Sequence, residues 1–137
     1  NKGVTIDTFR HFFGANKTAA DLKRMTDEQW FHIFKKGFWD RWHADEIECQ
    51  AIANILVDWV WASGKWGITI PQDILGVETD GIVGNKTIVA INSSSPLPLF
   101  GSIKDSRIKF VKRIVSAHPS QKVFLKGWIK RIESITY

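Results

Sequence analysis

Between about Asp45 and Ala62 the chain carries a helical pattern whose second half is apolar on nearly every side: Ala51, Ile52, Ala53, Ile55, Leu56, Val57, Trp59, Val60 and Trp61. A helix with no solvent face must be surrounded by other elements, so this one predicts a helical fold built around it. Ser63-Gly64 ends it. One residue interrupts the pattern. A carboxylate is costly to bury unpaired, so Asp58 needs either a basic partner, Arg41 or another base, or a polar cleft to line. The sequence leaves both readings open.

The flanking sequence is helical too. Thr5 reads as an N-cap for a helix through Phe13, with Gly14 placed to stop it. Thr18 with Asp21 resembles a second cap, and Thr26-x-x-Gln29 is a capping box whose helix Lys35, Lys36 and Gly37 are expected to close. Phe38 to His43 breaks the rhythm and is dense in aromatics, which predicts an ordered connection. Ile68 to Leu75 reads as a short helix weakened by Pro71. Val77 to Gly84 reads as a loop with a turn at Asp80-Gly81, Asn85 to Ile91 as one or two helical turns, and Ser93 to Pro98 as a connection. Two helices, about Leu99 to Ala117 and Gln121 to Ser134, finish an all-α chain.

At 137 residues one core needs no disulfide or metal support. The lone Cys49 reads as a buried, inert thiol in the helical pattern. His11, His32, His43 and His118 lack zinc-site spacing, so neither metal nor cofactor is expected. No apolar run is long enough to span a bilayer, and the N-terminus lacks a signal-peptide layout. Asn1-Lys2-Gly3 runs straight into structured-looking sequence without an initiator Met, so the natural start is expected to precede it. The net charge of +5 favours polyanionic partners. Its basic residues are spread along the chain without a nucleic-acid motif, so nucleic acid is not an expected partner. A monomer is expected.

Seven tryptophans raise the question of carbohydrate, because a pyranose ring presents a C–H face that packs on indole. Trp30, Trp59, Trp61 and Trp128 fall at helical positions that suit a core. For Trp39 and Trp42, in the irregular segment, core and sugar contact are equally open. Glycosidases commonly set two carboxylates about the scissile bond, and nothing here marks such a pair.

Several stretches together resemble the N-acetylmuramidases of glycoside hydrolase family 108. They are Asn1 to Ile6, Phe38-Trp39-Asp40-Arg41-Trp42, Ile55 to Gly64, and Leu75 to Thr87 with its Asp80-Gly81-x-x-Gly84-x-x-Thr87 core. The family usually has Tyr where Phe38 stands and Pro where Asn85 stands. The resemblance implies a lysozyme-like helical fold that cleaves bacterial peptidoglycan after N-acetylmuramic acid. It divides the chain into a muramidase-like region, 1–75, and a peptidoglycan-binding region, 76–137, packed as one unit. The family's Glu-Gly-Gly motif, with the catalytic glutamate, would lie ahead of Asn1, so no catalytic residue is carried over and the fragment is expected to be inactive.

What the resemblance does carry over is substrate contact at Asn1, Thr5, Asp58, Ser63 and Gly64, joined by Trp39 and Trp42 as candidate platforms. Peptidoglycan binding falls to Asp80, Gly81, Gly84 and Thr87. Action on the cell wall follows, in a periplasmic, exported or phage-encoded protein. A non-catalytic wall-binding or secretion-associated module is the alternative.

Overall fold

The structure, a computed structural model, describes residues 2–137. Asn1, one of the expected substrate contacts, lies outside the described residues. Among the described residues there are helices and no strand. The chain divides into two compact units, Asn1–Arg41 and Trp42–Tyr137.

In the first unit, three threonines start three helices by accepting a backbone N–H that the first turn leaves unpaired. Thr5 accepts from Thr8 at 3.2 Å at the head of α1, Ile6–Phe13. Thr18 heads α2, Ala19–Lys23, and Thr26 heads α3, Asp27–Phe34. Both of these are reciprocal boxes, since Asp21 accepts from the Thr18 N–H at 2.9 Å and Gln29 from the Thr26 N–H at 3.0 Å. Aromatic rings join α1 to α3, with Phe12 and Phe13 each 5.9 Å from the His32 ring.

The expected stop at Gly37 is not there. Helical backbone continues as a π-helical turn, Lys35–Trp39, and a 3-10 turn, Asp40–Trp42. Gly37 does not take the left-handed conformation that ends a helix. A Cβ on it would sit 3.3 Å from the Phe12 ring, so its small size serves a close approach.

In the second unit α4, Gln50–Ser63, begins later than its apolar pattern suggests. Asp45 and Glu46 belong instead to a 3-10 turn, Ala44–Glu46, followed by extended Ile47. This entry is held from far along the chain. Asn92, on α6 (Asn85–Ser93), donates to the Glu46 carbonyl at 2.9 Å and accepts from the Glu48 N–H at 3.0 Å. Cys49 therefore sits at the N-cap, half-buried, with its thiol against the Tyr137 hydroxyl, rather than inside the helix as a fully buried group.

The central position of α4 is as expected. Ile52, Ala53, Ile55, Leu56, Val57, Trp59 and Val60 are all buried, and α4 packs on α5, Trp66–Leu75, and on α7, Pro96–Ala117. α8, Lys122–Glu133, lies on α7. Pro71 is accommodated inside α5, and Pro96 opens α7 at the first helical position, where a missing N–H costs nothing. The linker-like stretch thus shortens to Ser94-Ser95. Lys104 closes the end of α8 by donating to the Glu133 and Ile135 carbonyls at 3.2 and 2.7 Å.

Candidate functional site

The acid that interrupts α4 is paired. Asp58 Oδ1 accepts from Arg131 Nη2 at 2.7 Å, and Oδ2 faces Arg107 Nη1 at 2.7 Å, an ion pair whose angle is poor for a hydrogen bond. The partners come from α8 and α7, and Arg41 is not among them. Arg107 is only 2% exposed. Burial pushes its pKa below the ordinary arginine value, and the Asp58 charge pulls it back. Of the two readings open from the sequence, Asp58 is the ion pair, clamping three helices with two guanidiniums on one carboxylate.

The last turn of α4 separates two depressions. One, of about 830 Å³, opens toward α5 and α7 and is lined by Trp66, Thr69, Asp73, Thr79, Phe110 and Arg113 among others. The second, of about 280 Å³, lies toward α7 and α8, between Trp61 and Trp128, and includes Arg107 and Arg131. Ala62, Ser63 and Ile114 line both. Asp58 meets the smaller depression only through its arginines. Gly64 ends α4 with φ +60°, which glycine adopts without strain, and its N–H donates to the Val60 carbonyl at 2.8 Å.

The Asp-Gly-x-x-Gly-x-x-Thr stretch is organised by a residue that sequence reading passed over. Gln72, fully buried on α5, donates to Asp80 Oδ1 at 3.2 Å, to the Ile82 carbonyl at 3.0 Å and toward Thr87 Oγ1 at 3.3 Å, and it accepts from the Gly81 N–H at 3.0 Å. Gly81 has φ +75°, and a side chain there would run into Lys65. Gly84 is the N-cap of α6 and Thr87 is buried. Asp80, Gly81 and Thr87 therefore hold a loop together, and their neighbour Thr79 is the residue that reaches the larger depression.

This knot has a measurable signature. The Ile82 N–H donating to Asp80 holds its carboxyl below the ordinary 3.8, with Gln72 contributing. A depressed carboxyl contributes stability above the ordinary value and loses it as pH falls through the folded pKa. An NMR acid titration is expected to give an Asp80 midpoint below 3.8. In Gln72→Ala the midpoint should rise toward that value, and stability in urea should fall by about 2 kcal/mol, because the Gly81 N–H loses its acceptor while the Ile82 carbonyl and the Thr87 hydroxyl lose a donor. An unchanged midpoint would count against the knot.

The other residues singled out from sequence are dispersed. Thr5 caps α1, and its hydroxyl also meets Thr8 Oγ1 at 3.1 Å. Trp39 is half-buried at the end of the π-helical turn. Trp42 is fully buried, so core packing applies and its indole presents no face to a sugar. Trp59 is core as expected, whereas Trp61 and Trp128 are half-buried on the smaller depression. Trp30, half-buried, donates its indole N–H to the Lys2 carbonyl at 3.1 Å and lines a separate apolar depression in the first unit with Phe31. The seventh tryptophan, Trp66, is 60% exposed. Its signal in the sequence is its place just past the Ser63-Gly64 stop, where a new helix begins at a surface.

Family comparison assigns these regions. Residues 1–64 match the glycosyl hydrolase 108 family, and residues 66–133 match a predicted peptidoglycan domain. The two family regions meet in the turn between α4 and α5, and both depressions draw on each of them. A glycosyl hydrolase region followed by a peptidoglycan domain is the make-up of a peptidoglycan hydrolase, a glycosidase by class. Among solved structures, that of Brucella abortus SagA is similar, with a TM-score of 0.87 and 23% identity over 98% of this chain and 75% of that one. At that identity the likeness is one of fold, and the all-α, lysozyme-like class expected from sequence is the class found. No curated protein matches the chain. Among the described residues no helix is long and apolar enough to cross a membrane, and no three His, Cys, Asp or Glu side chains gather as a metal site.

Proposed function

We propose that this protein is an N-acetylmuramidase, cleaving the glycan strands of bacterial peptidoglycan after N-acetylmuramic acid. The observation that carries this reading is the succession of a glycosyl hydrolase 108 region and a peptidoglycan domain along one chain. The proton donor is a glutamate in a Glu-Gly-Gly motif ahead of Asn1, as the family's motif order implies, and it protonates the leaving glycosidic oxygen. Ser63 and Gly64, at the end of α4, contribute to a sugar-accommodating surface of the second unit. Thr5 and Trp39 belong to the first unit, next in sequence to that motif. Both carboxylate oxygens of Asp58 are taken up by guanidiniums, so its part is to position the end of α4. The place of action is the bacterial wall, reached by export or by a phage.

The test is the release of reducing ends from purified sacculi. A longer chain that includes the Glu-Gly-Gly motif is expected to release them, and the 137-residue chain alone is expected to be retained on sacculi without cleaving them. Retention without cleavage by the longer chain would replace the enzymatic reading with that of a wall-binding module.

A further inference from the structure

The larger depression has the character of a ligand site, of which the reading above uses only the edge at Ser63. Trp66, the first residue of α5, keeps most of its indole in solvent, yet the ring is backed by Phe110 at 6.1 Å and 43°. A held, exposed indole is a platform of the kind a pyranose face packs on. Close by, Thr69 Oγ1 is buried and has no hydrogen-bond partner among the described residues. Buried hydroxyls are seldom left unpaired, and a ligand hydroxyl or amide would satisfy this one. Arg113 lines the same depression from α7 with no ion pair among the described residues, so its charge is available to an anion. The volume, about 830 Å³, falls within the range of roughly 300–1,000 Å³ usual for small-molecule sites.

We propose that this depression is a saccharide subsite of the peptidoglycan domain, taking an N-acetylated amino sugar whose ring lies on Trp66 while a carboxylate of the short peptide attached to that sugar meets Arg113. The inference rests on the reading of peptidoglycan as substrate. The carboxylate distinguishes this ligand from a neutral N-acetylglucosamine chain, which could use the indole but not the guanidinium.

The experiment titrates the whole chain with muramyl dipeptide and, separately, with chitotetraose, following the indole ¹H–¹⁵N resonances by NMR. The Trp66 resonance is expected to move on binding. Trp66→Ala should weaken binding of both ligands about tenfold. Arg113→Gln should weaken muramyl dipeptide about threefold, leave chitotetraose unchanged, and lose its effect at high salt, as an exposed charge does. A Trp66 resonance unmoved at saturating ligand would overturn the subsite without relying on any variant's folding. Equal weakening of both ligands by Arg113→Gln would overturn the carboxylate assignment. Movement of that resonance only when the preceding segment of the chain is added would assign the depression to the chain itself and overturn the proposal. Retention on sacculi separates the two levels. If wild type and Trp66→Ala are retained equally, the subsite falls and the peptidoglycan reading stands, whereas a wild type that is not retained removes the reading beneath it.

Discussion

Gly67→Ala is expected to destabilise the protein by about 3 kcal/mol, although alanine is the better helix former by about 1 kcal/mol. Gly67 is the second residue of α5, and a Cβ there would lie 2.6 Å from the Val60 nitrogen and 2.7 Å from the Trp59 carbonyl carbon. These are backbone atoms in the middle of α4, which cannot swing aside as the end of a side chain can. The cost of overpacking therefore exceeds the gain in propensity, and α5 must move off α4. Gly101→Ala is the control, because nothing lies within 4 Å of a Cβ at that point of α7. There propensity acts alone, and a gain of about 0.5–1 kcal/mol is expected. Urea denaturation of both variants checks the pair. A Gly67→Ala protein as stable as wild type would contradict the close seating of α5 on α4.

The second large effect is at the ion-pair clamp. Asp58→Ala leaves Arg107, buried to 2% exposure, without its counter-charge and facing a second cation, Arg131. Breaking a buried pair costs about 3–5 kcal/mol. Because a quarter of the Asp58 side chain is exposed, at 26%, the expected loss is about 3 kcal/mol, at the lower end of that range. Adding Arg107→Met, which removes the stranded charge and keeps an apolar stem of similar length, should recover more than half of the loss. A loss below about 0.5 kcal/mol for the single variant would mean that the clamp is solvent-screened like an exposed pair. Recovery in the double variant would show that the loss comes from the stranded Arg107 charge.

What was legible in the sequence was local. The three threonine caps act over three residues, and the apolar run of α4 records its own burial, so both could be read directly. Gly37 misled because smallness has two uses, and the contact with Phe12 that requires it lies in another helix. The start of α4 misled for a similar reason. Asp45 and Glu46 resemble a first turn, but the chain is bent there by Asn92, far along the sequence. Pro96 and Pro98 resemble a linker, though a proline in the first turn of a helix is favourable. The site divides the same way. Asp58 announced a partner without naming it, since Arg107 and Arg131 come from helices packed against α4 only in the folded chain. Asp80, Gly81 and Thr87 stood out as a motif because Gln72 ties them together, and that need for a tie is equally a signature of structure.

The clamp and the close α4–α5 seating together shape the surface at the end of α4, which borders both depressions and lies where the hydrolase region gives way to the peptidoglycan domain. The chemistry assigned to the protein is tested most directly by identifying the new chain ends it makes. Sacculi digested with the longer, Glu-Gly-Gly-containing chain would be reduced with borohydride and their fragments weighed by mass spectrometry. Cleavage after N-acetylmuramic acid leaves muramitol at the reduced end, and that is the result expected. Glucosaminitol ends, or no reduced ends at all, would contradict it.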